Sequence, residues 1–351
     1  MNMKPLVFAF PGDLNTSTGG YIYDRRIIEG LQKLGWQIEL LSLGPGFPYP
    51  TKETVSLAAE RLLGISPDAI VVMDGLALGV LPEAVAALSE RQPVVALIHH
   101  PLAFESGLSA EQAQAFRLSE TRALRHAIHV IVTGPSTGRD LVRTFGVSPA
   151  LIDVVCPGTV RASLAKGSGT SSPHLLSVGT VTPRKGYDVL LAALRPLADL
   201  SWTLTIAGDL TRDAQAPVRL QEDILRFGFE GRIKTLGVVD EAQLEALYQR
   251  TDVFVLASRF EGYGMAYAEA LAHGLPVIGT TGGAIPDTVP QEAGLLVPPG
   301  DVESLTEALR RVLQDVRLRA RLSQGAREAA VSQPTWEDSV KRFEAVLFKI
   351  S

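Results

Sequence analysis

The chain has 351 residues, 46% of them hydrophobic and 20% charged, with a formal net charge of −5. One core seldom grows past about 250–300 residues, so two domains are expected. The acidic balance, with neither half basic, excludes a nucleic-acid backbone as partner.

A single cysteine, Cys156, excludes an intramolecular disulfide and fits a reducing cytosol. It lies in the apolar run "LIDVVCPG" and is expected in a core. The opening "MNMKPLVFAFPGDLN" turns polar too soon for a signal peptide, and no stretch reaches the ~20 apolar residues of a membrane span. These features predict a cytoplasmic protein; the charge balance is also compatible with a basic patch for peripheral contact at the inner membrane surface.

In chain order, "LVFAF" reads as a buried strand, followed by a helix over "GGYIYDRRIIEGLQKLG" in which Ile27, Ile28, Leu31 and Leu34 recur at helical spacing. "QIELLSL", "AIVVM", "VVALIH" and "HVIVTG" are further strands separated by helical stretches. This alternation predicts a mostly parallel sheet covered on both faces. Residues 163–173, "SLAKGSGTSSP", are Gly/Ser-rich and aperiodic, which places a linker at 166–173. The pattern then restarts with strands in "HLLSVG", "WTLTIAG", "RIKTLG", "DVFVLAS", "PVIGT" and "GLLVP". Trp336 and Phe343 mark a last helix over 336–351, expected to pack back on the N-terminal domain. The expected architecture is α/β, with two doubly wound, Rossmann-like domains, 1–165 and 174–335, facing a central cleft. In such sheets ligands bind at the carboxyl ends of the strands.

Two loops stand at such ends. "SVGTVTPRKGYDVLL" sets Arg184 beside Lys185 between a strand and a helix, a pairing suited to a diphosphate, although two solvated turn charges would read the same. "SRFEGYGMAYAEALAHGLP" carries Glu261 in a Gly-rich loop and Glu269 inside the Ala-rich helix that follows. Gly262 and Gly264 allow the backbone to approach a ligand, and the helix start near Met265 offers amides and a positive dipole end to an anion. Glu269 leans back toward that start. In the first half, "VVALIHHPLAFE" ends a strand on His99 and His100, and Gly19 and Gly20 follow the first strand.

With these residues in view, the chain resembles the retaining family-4 glycosyltransferases of the GT-B fold, a group that includes glycogen-synthase-like and mannosyltransferase-like enzymes. "EGYGMAYAEALAHGLPVIGTTGGAIPDTV" fits their glutamate–seven residues–glutamate motif, and "VGTVTPRKGYDVLL" fits the segment carrying their Arg and Lys. "STGGYIYDRRIIEGLQKLGWQIELLS" resembles their first loop and helix. The resemblance implies an acceptor-binding N-terminal domain and a nucleotide-sugar-binding C-terminal domain. It implies that Glu269 holds ribose hydroxyls, Glu261 meets the transferred sugar, and Arg184 and Lys185 hold the diphosphate. It further places His99 near the sugar and the amides of Gly19 and Gly20 near a phosphate. Two places depart from the pattern: "PGTVRAS" stands where relatives read "NGVD", and "GDLTRDAQ" replaces a Gly-Asp-Gly-Pro turn, which leaves donor contacts from Asp209 open.

The expected activity is retaining hexosyl transfer from a nucleotide-diphosphate sugar to a hydroxyl acceptor. No Asp-x-Asp pair occurs, so no metal and no further cofactor are expected, and Arg184, Lys185 and the helix start would stabilise the leaving diphosphate. Two alternatives from other classes are a GT-B-fold nucleotide-sugar epimerase and a non-catalytic nucleotide-sugar-binding protein. A dehydrogenase is disfavoured because no G-x-G-x-x-G follows the first strand.

Overall fold

The computed structural model describes residues 5–16 and 18–350. The chain divides into two compact units, Met1–Gly158 with Pro334–Ser351, and Thr159–Gln333.

The first unit is built on six parallel strands: β1 (Leu6–Phe10), β2 (Ile38–Ser42), β3 (Ile70–Asp74), β4 (Val94–Ile98), β5 (His129–Val132) and β6 (Ile152–Val154). Their order is β2-β1-β3-β4-β5-β6. Every residue of β1, β3 and β4 is buried, as a parallel sheet covered on both faces requires. Alternate side chains serve opposite faces. Val7, Ala9, Val71 and Met73 pack with Leu78, Val85 and Leu124 on one side. Leu6, Phe8, Ile70 and Val72 pack with Ile27, Leu31, Phe343 and Leu347 on the other.

That second face joins the helix Gly19–Lys33 to the C-terminal helix Trp336–Ile350. Gly30 permits the crossing, since a Cβ there would lie 2.2 Å from Val340 Cγ2. Burying Phe343 and Leu347 contributes roughly 1.5–3 kcal/mol each. Trp36 Nε1 donates to Glu344 Oε1 at 3.0 Å, and Lys349 Nζ reaches Asp153 Oδ2 at 2.8 Å. The last helix therefore belongs to the first unit. Cys156, expected in a core, is only half-buried, because β6 is an edge strand and the chain leaves the sheet there.

The second unit has the strands β7 (His174–Val178), β8 (Thr203–Ala207), β9 (Ile233–Thr235), β10 (Val253–Val255), β11 (Val277–Thr280) and β12 (Gly294–Val297), again parallel. Their order is β12-β11-β10-β7-β8-β9. The linker expected at 166–173 requires correction. The Ala165 amide donates to His273 O, those of Lys166 and Gly167 to Gln249 O, and that of Ser168 to Asp252 Oδ1. These bonds bind the Gly/Ser-rich stretch to the second unit, and the units meet at 158/159 and 333/334 rather than near 165 and 335.

Both sheets reverse their strand order once, between β1 and β3 in the first and between β7 and β10 in the second. Crevices at the carboxyl ends of such strands are the ligand sites of doubly wound sheets. Among the described residues no helix is long and apolar enough to cross a membrane.

Candidate active site

In the second unit the switch point brings together the loops after β7 and β10. The first carries Arg184 and Lys185 in a short 3-10 turn, and Gly186 closes it with φ +67°. A Cβ on Gly186 would lie 2.0 Å from Ala257 O, so glycine is what lets the two loops cross. The second loop carries Glu261, with 6% of its surface exposed. Lys185 Nζ lies 2.6 Å from Glu261 Oε1, and Arg184 Nη1 lies 3.1 Å from Oε2 and 3.0 Å from Phe260 O. Ser258 Oγ donates to Oε1 at 2.6 Å.

Burial alone would raise the pKa of Glu261. The Lys185 and Arg184 charges, with hydrogen bonds from Lys185 and Ser258, outweigh it and bring the value down to about 2. The cluster holds two cations against one carboxylate, so it retains a positive charge toward an anion.

The helix Met265–Ala272 starts directly after this loop, with Gly264 at φ +91° as its N-cap residue. Its first amides have no intrahelical acceptor, and its dipole adds positive potential. Tyr267 anchors the helix by donating to Leu256 O at 2.6 Å. Gly262 lies in the loop, and Met265 opens the helix. Glu269 lies farther along, half-buried, and accepts from the Tyr248 hydroxyl at 2.9 Å. Burial raises its pKa, and the Tyr248 hydrogen bond offsets part of that rise. The Tyr248 ring stacks on His273 with 4.5 Å between centroids.

In the first unit the helix after β1 and the ends of β3 and β4 converge on His99. Its Nε2 lies 2.9 Å from Asp24 Oδ1 and 3.7 Å from Asp74 Oδ2. Gly20 packs on the ring, and Tyr23 meets it edge-on at 5.2 Å. Gly19 is the first residue of the same helix, behind its Thr18 cap. Burial pushes the imidazolium down, but the charge and hydrogen bond of Asp24, joined by Asp74, leave His99 raised overall. Asp74 is pushed up to about 7 by burial and by the neighbouring Asp24. His100 instead approaches Glu105 Oε2 at 3.6 Å.

The sequence reading named His99, Arg184, Lys185, Glu261 and Glu269 but missed Asp24, Asp74, Ser258 and Tyr248. Asp24 had a visible signal: it stands three, four and seven positions before Ile27, Ile28 and Leu31, on the buried stripe of its helix. The sequence also missed Gly283, whose Cβ would lie 2.3 Å from Glu261 O and whose absence lets "TTGG" pack beneath the glutamate loop. Among the described residues, Asp24, Asp74 and His99 form the cluster whose ligand atoms fall within 4.8 Å of one another.

Two family models cover most of the chain. A glycosyl transferase 4-like domain matches residues 18–158, and glycosyl transferases group 1 matches residues 163–329. The MMP α-(1→4)-mannosyltransferase of Mycolicibacterium hassiacum is 27% identical over 319 residues, or 87% of this chain and 76% of that protein. The glycogen synthase of Mycobacterium tuberculosis (strain H37Rv) is 30% identical over 257 residues, 70% of this chain and 60% of that protein. The chain spans only 52% of the mannosylfructose-phosphate synthase of Agrobacterium fabrum. Among solved structures, sucrose-phosphate synthase from Thermosynechococcus elongatus aligns with a TM-score of 0.83 at 21% identity, covering 99% of this chain and 100% of that one. HepE of Anabaena, in complex with UDP and glucose, aligns with a TM-score of 0.77 at 18% identity, covering 98% and 99%. At these identities the structural likeness is one of fold.

Proposed function

We infer the reaction from a family and a site: the chain belongs to the family-4-like glycosyltransferases of the GT-B fold, and the Arg184–Lys185–Glu261 cluster supplies what its second unit would need to bind a nucleotide-sugar donor. The reading is retaining, metal-independent transfer of a sugar from a nucleoside-diphosphate sugar to a hydroxyl acceptor. The observation that carries it is the buried Glu261 held by two cations at the switch point of the second sheet, directly before a helix start. HepE, a structural neighbour, was crystallised with UDP and glucose, which supports a diphosphate donor.

In this reaction the bond between the sugar's anomeric carbon and the diphosphate oxygen breaks, and negative charge grows on the departing phosphate. Lys185 and Arg184 meet that charge from preorganised positions, and the amides at the start of the Met265–Ala272 helix add to the field. The acceptor hydroxyl bonds to the anomeric carbon on the face the phosphate leaves, and its proton passes to the phosphate oxygen. Glu261, kept ionised by its two cations, receives hydrogen bonds from the transferred sugar's hydroxyls and orients it. Glu269, aligned by Tyr248, binds the ribose.

Donor screening by thermal shift with UDP-, GDP- and ADP-sugars, in EDTA, is the first experiment, because a ligand selective for the folded state raises Tm. Transfer is then followed by NMR with the stabilising donor and a panel of hydroxyl acceptors. An α-linked product from an α-linked donor in EDTA is expected. A β-linked product overturns retention, and activity restored only by added Mg²⁺ or Mn²⁺ overturns metal independence. An epimerised donor formed without acceptor assigns the chain to a different reaction.

A further inference from the structure

We propose that Asp24, supported by Asp74, is a positioning residue that fixes the ring of His99 with Nε2 turned into the protein, leaving Nδ1 as the ring nitrogen that meets a substrate hydroxyl. The inference rests on the transferase reading for the substrate and on the structure alone for the ring.

Asp24 is fully buried on the apolar face of its helix, where an unpaired carboxylate costs several kcal/mol. Its place there is explained by what it touches. Oδ1 lies 2.9 Å from His99 Nε2, and a carboxylate oxygen can only accept there, which calls for the proton on Nε2. Asp74 lies in the same cluster, its Oδ2 3.7 Å from His99 Nε2, and burial together with the neighbouring Asp24 pushes its pKa up to about 7. Asp74 is itself fixed, since its Oδ1 accepts from the Leu76 amide at 2.7 Å. Two carboxyl groups therefore face His99 Nε2, Asp24 at hydrogen-bond distance and Asp74, held by its helix cap, farther off.

The ring has little freedom in this setting. Tyr23 meets it edge-on with planes at 81°, and a Cβ on Gly20 would already lie 3.4 Å from its Cδ2. Thr133, after β5, donates its hydroxyl to the His99 carbonyl at 3.3 Å and fixes the backbone. The titratable groups facing the ring are Tyr23 and Asp24 from the first helix and Asp74 from β3. With Nε2 committed to Asp24, Nδ1 is the ring nitrogen left to meet a substrate hydroxyl. It donates when the imidazole is charged and accepts when it is neutral. The raised pKa of His99 extends the pH range in which Nδ1 donates.

Protein labelled with ¹⁵N-histidine allows the ring nitrogens to be read directly. In the neutral form of His99 the proton is expected on Nε2, and the ring should titrate above an ordinary histidine. Asp24→Asn, which keeps size and shape, should move that titration acidward. The alkaline limb of kcat should move in parallel, kcat itself should fall about 10- to 100-fold, and affinity for the nucleoside diphosphate should hold. Asp74→Asn removes the more distant group, 3.7 Å from Nε2, and should shift the limb less than Asp24→Asn. The substrate that meets the ring, donor or acceptor, should at saturation perturb Nδ1 more than Nε2. A neutral ring protonated on Nδ1, an unmoved titration in Asp24→Asn, or a substrate response at Nε2 would each overturn the proposal. So would a stoichiometric divalent ion in the purified protein that Asp24→Asn releases, since it would make these groups metal ligands. The ring signals are independent of turnover, so failure of the transferase reading would show as absent transfer with the tautomer intact.

Discussion

Glu261→Gln tests the electrostatics of the second unit most directly. The substitution preserves shape and an acceptor for Ser258 but removes the charge opposite Lys185 and Arg184. The carboxyl falls from a reference value of 4.5 to about 2 in the folded protein, and at 1.36 kcal/mol per unit that depression is worth about 3 kcal/mol at neutral pH. Because the folded pKa lies below the unfolded one, this stabilisation is complete above the unfolded value. It drains away as pH falls through the folded value. By pH ~3 roughly 1 kcal/mol of it should remain.

The assay must report the second unit alone, since a two-domain chain need not unfold in one step. Trp202 serves this purpose. It is buried in the second unit against Phe229, whereas Trp36 and Trp336 belong to the first. With 5-fluorotryptophan incorporated, urea titrations followed by ¹⁹F NMR at the Trp202 signal give the unit's stability at pH 7 and pH 3. Wild type should exceed Glu261→Gln by about 3 kcal/mol at the higher pH and by about 1 at the lower. A gap that stays constant with pH, or one below about 1 kcal/mol at pH 7, would show that the ion cluster does not hold Glu261 as described.

Arg184→Ala and Lys185→Ala should each lower kcat by about 10²–10³-fold while the protein stays folded, because phosphate charge grows only as the glycosidic bond breaks; near-wild-type turnover in both would return them to a structural role on Glu261. Glu269→Gln should raise the donor KM and weaken nucleoside diphosphate binding with kcat largely kept, since ribose contacts exist in ground and transition states alike. Tyr248→Phe, which removes the donor to Glu269 at 2.9 Å, should weaken the same binding by a smaller factor of about 2–10, measured by calorimetry.

Much of this architecture was legible because it is local. Runs such as "AIVVM" and "VVALIH" are buried on both sides in a parallel sheet, so composition and length alone identify them as strands. Strand–loop–helix order then directs attention to the loops holding Arg184, Lys185 and Glu261. Their partnership was not legible. Glu261 stands 76 positions after Lys185, and the reordering of strands that makes β7 and β10 neighbours leaves no trace in either segment. The sequence therefore suggested a phosphate pair and a separate sugar carboxylate, whereas the fold pairs the two cations with that carboxylate.

The Gly/Ser stretch misled for the opposite reason. Its composition describes the freedom of the unfolded chain, while its order comes from Gln249, Asp252 and His273, remote residues that accept its amide hydrogen bonds. Asp24 combines both difficulties. In "YDRRIIEG" it reads as one charge among several on a solvated face, yet the helical spacing to Ile27, Ile28 and Leu31 places it inside. A charge on a buried stripe is the local half of the signal. Its other half, the imidazole and acid that make burial tolerable, comes from the ends of β3 and β4, which only the folded sheet brings within reach. An acid at a core position of an otherwise ordinary amphipathic helix is therefore the sequence feature to follow, because burying it requires a partner that the fold must supply.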